Sequence, residues 1–107
     1  MSLEKAKIYL KEKGYEDHII ELEQSSATVS LAAEALGVEE GMIAKTMSFL
    51  QNDLPVLIVI EGTARIDNRK YKDTFHTKAK MIPFDEVEQY IGHAPGGVCP
   101  FGIKEGV

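Results

Sequence analysis

The chain has no tryptophan, a single cysteine and no long hydrophobic run. One cysteine cannot form an internal disulfide framework and suits a reducing compartment. A membrane-spanning helix needs about 18 consecutive apolar residues, whereas the longest apolar run, Pro55–Ile60, has the length of a strand. Met1–Lys13 alternates charged and aliphatic residues and lacks the apolar stretch of a signal peptide. We therefore expect a cytoplasmic protein that does not enter the membrane.

Basic residues are in the minority, with 12 Lys and Arg against 17 Asp and Glu and a net charge of −5. This balance disfavours a large nucleic-acid footprint. Half of the basic residues nevertheless lie in what we call the basic segment, residues 65–80: Arg65, Arg69, Lys70, Lys72, Lys78 and Lys80. Such a run is typical of a solvated face, but it also suits a local patch that contacts RNA phosphates. We take the first four as candidate RNA contacts.

Length and hydrophobic spacing predict one small domain. A chain of 107 residues, 44% hydrophobic and 27% charged, is typical of a soluble globular domain. Apolar residues at i, i+3 and i+7 predict helices, and capping residues and glycines predict their ends. The first predicted helix starts near Leu3 and stops at Gly14, and the second starts at a Thr28 or Ser30 cap and stops at Gly37. The third starts at an Asp67 cap and stops near His76, and the fourth runs from Phe84 to Ile91 before Gly92.

Short apolar segments between these helices predict strands. Ile43–Leu50 and Val56–Ile60 are joined by the turn Gln51–Leu54, which favours an antiparallel hairpin. Ile19–Leu22 and Ala79–Ile82 are two further candidates. Helices interspersed with antiparallel pairs predict an α+β fold with a mostly antiparallel or mixed sheet.

The segment Gly92–Gly102, which we call the glycine loop, reads G-H-A-P-G-G-V-C-P-F-G. Glycine raises the entropic cost of ordering a loop and proline removes a backbone donor, so the segment is unlike one selected for stability alone. Its bare N–H groups are suited to hold an anion or a carbonyl oxygen. The alternative is an ordinary tight turn beside a buried strand Val98–Phe101, although a simple turn needs only one or two such residues.

Lys45 is the second chemical feature. Because side chains alternate along a strand, it shares a face with Ile43, Met47 and Phe49. A lysine among large apolar neighbours either extends its amine to the sheet edge or lines a cleft. In a cleft the amine can orient a phosphate or a carbonyl group.

Three motifs together resemble a known family. They are L-G-V-x-x-x-x-I-A-K-T-M (Leu36–Met47), V-L-I-V-I-E-G (Val56–Gly62) and G-H-x-x-G-G-V-C-P-F-G in the glycine loop. The chain is similar, over nearly its whole length, to the YbaK/EbsC aminoacyl-tRNA deacylases, relatives of the editing domain inserted in bacterial prolyl-tRNA synthetases. The Lys-Thr pair on a strand, together with the glycine loop, is a more specific sign of this family than either motif alone.

The resemblance implies hydrolysis of the ester that joins a wrong amino acid, such as alanine or cysteine, to the 3′ end of tRNA(Pro). Lys45 matches the lysine associated with activity, and Gly96–Pro100 matches a loop that lines the aminoacyl pocket. A developing oxyanion needs aimed donors. Because Pro100 has no N–H, the donors expected are Gly97, Val98 and Cys99, with Gly97 and Val98 placed beside Lys45 as catalytic residues.

The resemblance also implies the binding partners. The expected partner is the acceptor end of an aminoacyl-tRNA, and prolyl-tRNA synthetase is a candidate protein partner. The basic residues Arg65, Arg69, Lys70 and Lys72 become candidate tRNA contacts. The residues expected to contact the substrate are Thr28, Thr46, Met47, His93, Gly96, Cys99, Pro100 and Phe101.

Cys99 allows a different mechanism, in which its thiol is the nucleophile and His93 the base. Activation of a cysteine needs a lowered pKa and a positioned partner, so we favour water as the nucleophile. His93 is then expected to touch the substrate or to hydrogen-bond the loop. No pair of histidine or cysteine residues has recognisable ligand spacing, and we predict no metal and no cofactor.

Members of the resembled family continue for some distance beyond the point where this chain stops. We therefore expect a single editing domain over residues 1–107 that lacks the usual C-terminal portion. A missing strand would leave an exposed sheet edge, so we expect a tendency to homodimerise. The alternative functions are a non-catalytic module that binds aminoacyl-tRNA or a nucleotide, and an inactive fragment of the deacylase.

Overall fold

The computed structural model describes residues 2–22 and 28–107. Within these residues, four α-helices and one β-hairpin make up the main regular structure. The helices are α1 (Ser2–Glu12), α2 (Val29–Leu36), α3 (Asn68–Phe75) and α4 (Val87–Ile91), and the strands are β1 (Ala44–Gln51) and β2 (Leu54–Glu61). Single 3₁₀ turns lie at Glu16–His18, Glu40–Met42 and Phe84–Glu86. The predicted α+β fold is confirmed.

The hairpin has the antiparallel register that its sequence predicts. Ala44 pairs with Glu61 at the open end and Gln51 pairs with Leu54 at the turn. Asn52 and Asp53 form the turn with φ of 51° and 64°. Two successive residues with positive φ match the right-handed twist of the strands, and Asn and Asp accept this conformation more readily than most residues.

The two faces of the hairpin pack against different helices. On one face, Leu50 joins a buried cluster with Ile82, Val87 and Ile91, and Leu57 packs against it. On the other face, the ring of Phe49 lies 5.2 Å from the ring of Tyr71 in α3. The period-2 alternation of β1 therefore supplies contacts to α4 on one side and to α3 on the other.

Helix ends follow the capping residues. Thr28 Oγ1 accepts a hydrogen bond from the Leu31 amide at 3.1 Å, which selects Thr28 over Ser30 as the cap. Gly37 has φ of 68°, and the Val38 amide donates to Ala33 O at 3.0 Å. Asp67 Oδ1 caps α3 by accepting from the Lys70 amide at 3.0 Å. These predictions are confirmed.

Three strand assignments differ from the structure. Ile19–Leu22 forms no strand, because no segment in the described ranges pairs with it, and Ile20 is 74% exposed. Ala79–Ile82 pairs with β1 only through the bridge between Met81 and Phe49. The alternative strand Val98–Phe101 is irregular backbone within the glycine loop. Among the described residues, no helix is long and apolar enough to cross a membrane.

Candidate active site

A cavity of about 450 Å³ lies between α2, the first half of β1 and the glycine loop. Eight of the predicted site residues line it: Thr28, Lys45, Thr46, Gly96, Val98, Cys99, Pro100 and Phe101. These residues come from three separate parts of the sequence. The fold therefore brings together the strand lysine and the glycine loop, as expected.

Lys45 is half-buried at the cavity, in the second position of β1. Within residues 2–22 and 28–107 its ammonium group makes no hydrogen bond or ion pair. The neighbouring carboxylate, Glu61, accepts from the Thr63 amide at 2.7 Å and from Thr63 Oγ1 at 2.6 Å. These Thr63 hydrogen bonds lower the pKa of Glu61, and the charge of Lys45 adds to the effect. Within the described residues, the N–H donors of the Lys45 ammonium group are therefore available to bind a ligand.

The glycine loop opens with a tight turn that occupies one of the predicted donors. The Gly97 amide donates to Ala94 O at 3.0 Å, and Gly96 has φ of 86°. Gly97 also lies outside the cavity lining. In this conformation the hydrogen of the Gly97 amide is already used within the turn, and its role as an oxyanion donor stays a prediction. The Val98 and Cys99 amides donate to no acceptor within the described part of the chain and remain candidates.

His93 lies behind the cavity wall rather than on it. The side chain is fully buried, and Nε2 is 2.7 Å from the carbonyl oxygen of Phe101. Of the two roles expected for His93, the structure contains the hydrogen bond to the loop. Direct contact with a substrate is not available to a side chain with 0% exposure and no place in the lining.

Cys99 lies beside His93, with Sγ 3.7 Å from Nε2 and 3.5 Å from the Phe101 carbonyl oxygen. Burial raises the pKa of the thiol, and a backbone hydrogen bond at Phe101 acts in the opposite direction. A raised pKa lowers the thiolate fraction at neutral pH, which disfavours a nucleophilic role.

Met47 lies outside the cavity lining. It pairs with Ile58 across the hairpin and shares a face with Phe49, which packs on α3. Its predicted contact with the substrate therefore has no support from the cavity lining and stays a prediction. Lys45 shares that face, yet lies nearer the open end of the hairpin, where α2 and the glycine loop approach.

The basic segment also lies outside the cavity lining. Its candidate RNA contacts Arg65, Arg69, Lys70 and Lys72 are all exposed. None of the four forms a salt bridge within the described ranges. Their role in tRNA binding stays a prediction.

Five further residues of the lining are apolar and are not among the site residues predicted from the sequence: Val29, Ala32, Ile43, Ala44 and Val59. Val29 and Ala32 lie on α2, and the apolar spacing that predicts this helix does not separate a core face from a cavity face. Val59 is 51% exposed in the middle of a strand. That exposure depends on tertiary structure, so no signal in the sequence could identify it.

Comparison with known proteins places this architecture among editing domains. Residues 23–107 match the family model described as "Aminoacyl-tRNA editing domain". In structure, the chain superposes with a TM-score of 0.83 on the crystal structure of "a putative trans-editing enzyme for prolyl tRNA synthetase". The two are 30% identical, and the match covers 96% of this chain and 67% of that one.

Three relatives illustrate the range of the similarity. The "Uncharacterized protein YwhH" of Bacillus subtilis is 45% identical over 96% of this chain and 66% of its own length. The "Putative Cys-tRNA(Pro)/Cys-tRNA(Cys) deacylase EbsC" of Enterococcus faecalis is 32% identical over 85% of this chain and 57% of its own. A proline–tRNA ligase of Limosilactobacillus fermentum is 33% identical over 75% of this chain and 15% of its own length. The chain thus spans about two thirds or less of these relatives.

Proposed function

Because the chain belongs to the aminoacyl-tRNA editing domain family, we propose that it hydrolyses the ester bond of a mischarged aminoacyl-tRNA. The observation that carries this proposal is that Lys45 lines one cavity with Val98 and Cys99, and that within the described residues neither its ammonium group nor their amides have a hydrogen-bond partner. A cation and N–H donors on the residues of one cavity suit a substrate that carries both phosphate and an ester carbonyl.

The proposed mechanism uses water as the nucleophile. As water attacks the ester carbon, the carbonyl oxygen gains negative charge and accepts hydrogen bonds from the Val98 and Cys99 amides. Lys45 holds the terminal adenosine, its phosphate or the carbonyl oxygen. The carbon–oxygen bond to the ribose then breaks, and the ribose hydroxyl leaves with a proton. The substrate's own 2′-hydroxyl is the group we propose to activate the water.

A cysteine nucleophile is disfavoured by the partners of His93. A carbonyl oxygen only accepts hydrogen bonds, so the short contact from Nε2 to Phe101 O requires a proton on Nε2. The nitrogen nearest Cys99 is therefore a donor and cannot take the thiol proton. A Cys99→Ser variant is expected to keep its activity.

The finer proposal concerns the substrate. The named relative EbsC and the proline–tRNA ligase point to tRNA(Pro), and we propose that this chain removes cysteine or alanine from it in trans. The lining is mostly aliphatic and suits a small side chain. An apolar pocket discriminates only weakly between groups that differ by one methylene, so overlap between the two substrates is expected.

Deacylation of alanyl- and cysteinyl-tRNA(Pro) by the purified chain tests the proposal. Lys45→Ala is expected to reduce the rate at least about a hundredfold, the usual effect of losing an aimed electrostatic contact. Lys11→Ala, an exposed lysine of α1, is the matched control and should behave as wild type. Equal rates for wild type and Lys45→Ala would contradict the proposal, and binding without hydrolysis would favour a binding module.

A further inference from the structure

His93 is a fully buried polar side chain that the proposed chemistry does not use directly. It is the second residue of the glycine loop and follows Gly92, the residue that caps the end of α4. Its contact with Phe101 O spans eight residues, so one hydrogen bond closes the loop from its first part to its last. The loop residues that line the cavity are Gly96, Val98, Cys99 and Pro100, which lie between these two positions, and Phe101 itself.

The surroundings of the His93 ring determine the position of one ring proton. Nε2 must carry a proton because it faces the Phe101 carbonyl at 2.7 Å. Nδ1 is buried and has no hydrogen-bond partner within the described ranges. The hydrogen bond that the ring makes to the described residues is therefore the one that Nε2 donates to the loop.

We infer that His93 is a positioning residue that holds the Cys99–Phe101 wall of the cavity through its hydrogen bond to the Phe101 carbonyl, and so sets the space available to the aminoacyl group. This inference rests on the proposed function for the identity of the ligand only. The backbone of the wall is irregular and has no sheet partner within the described residues, so no strand pairing holds it in place. Cys99 shares the same carbonyl and lies within the same wall.

The single cysteine of the chain makes the wall directly measurable. Because Cys99 is the only cysteine, its rate of reaction with a neutral disulfide reagent, corrected for the thiolate fraction read from the pH profile of each variant, reports the exposure of this wall. His93→Gln and His93→Met provide a matched pair of similar size, since only the glutamine amide retains a donor. Loss of one hydrogen bond is expected to raise the thiol rate of His93→Met about tenfold, with His93→Gln close to wild type.

A second set of measurements distinguishes a positioning role of His93 from a merely structural one. Phe49→Leu, on the other face of the hairpin, should lower the unfolding midpoint without changing the thiol rate of the folded protein. His93→Met should also change the ratio of kcat/KM for alanyl and bulkier aminoacyl esters, whereas Phe49→Leu should leave that ratio unchanged. A thiol rate that is equal in the two His93 variants, whether raised or not, overturns the inference.

One measurement needs no variant. The nitrogen resonances of His93 in labelled wild-type protein should show a proton on Nε2 that exchanges slowly with solvent. A proton on Nδ1 instead would overturn the inference, because Nε2 could then not donate to Phe101. The thiol and resonance measurements require no tRNA. If the wild type hydrolyses no aminoacyl-tRNA, the proposed function fails while these two results still decide the role of His93.

Discussion

The ring of Tyr9 in α1 lies 6.0 Å from the ring of Phe101 on the cavity wall. Helix α1 also reaches the start of the glycine loop, where Lys5 Nζ donates to Gly92 O at 2.5 Å. The match to the editing-domain model begins at residue 23, so α1 lies outside it. A helix outside the matched region thus contacts both ends of the loop that we propose binds the aminoacyl group.

Gly102 provides a test of this contact. A Cβ at Gly102 would lie 2.5 Å from the carbonyl oxygen of Lys5, whereas a Cβ at Gly106 would meet nothing within 4 Å. Both glycines have positive φ, 69° and 89°, so Gly106→Ala carries the backbone strain alone, about 1–2 kcal/mol. Gly102→Ala adds the clash with α1. We expect a clearly lower unfolding midpoint for Gly102→Ala than for Gly106→Ala in thermal denaturation, and equal midpoints would contradict the described packing.

Much of this arrangement follows from local sequence signals. The caps Thr28 and Asp67, the stops Gly37 and Gly92, and the hairpin are encoded within a few residues of where they act, so they could be predicted. The approach of Lys45 to the glycine loop could be expected only through the family resemblance. Nothing local places them together, because about fifty residues separate them.

The orientation of three predicted site residues depends instead on tertiary contacts. Donor status at Gly97 depends on where a turn forms, and the turn uses the Ala94 carbonyl. The position of Met47 depends on the twist of the hairpin relative to α2, which alternation alone does not give. Likewise, burial of His93 is a property of the packed loop. In each case the residue type was informative, but its orientation was decided by tertiary contacts.

The pH dependence of Cys99 gives a second prediction. Burial raises the pKa of its thiol, so the reactive thiolate is populated at higher pH than in an unfolded peptide. The pH profile of alkylation should therefore shift upward in the folded protein and return to that of ordinary cysteine in denaturant. The pKa of the thiol is higher in the folded state than in the unfolded state. The protonated thiol therefore contributes to the free energy of unfolding at pH values below the unfolded-state pKa, and this contribution is lost as the pH rises through the folded-state pKa. A thiol pKa that is lower in the folded protein would instead support the mechanism in which Cys99 is the nucleophile.

The free edge of the hairpin gives a third prediction. In the described part of the chain, β2 pairs only with β1, and its Leu54 is 64% exposed. An unpaired strand edge favours association with a second copy, and lysine on such an edge opposes it. We expect concentration-dependent dimers in sedimentation at micromolar concentration, and Leu54→Lys should shift the equilibrium towards the monomer. A wild-type chain that stays monomeric throughout that range would contradict this expectation.

The basic segment gives the last prediction. If Arg69 and Lys70 contact tRNA phosphates, replacing both by alanine should weaken tRNA binding and reduce the salt dependence of log Kd by about one unit of slope per lost contact. Lys11→Ala with Lys13→Ala removes the same charge from exposed positions on or beside α1 and serves as the matched control. Both doubles change the net charge by the same amount, so a general electrostatic effect would lower affinity equally in each. A loss of tRNA affinity that occurs only in the double variant of Arg69 and Lys70 would locate the tRNA on the α3 side of the hairpin. Its kcat with a saturating aminoacyl ester that lacks the tRNA body should then equal that of wild type, because neither residue lines the cavity.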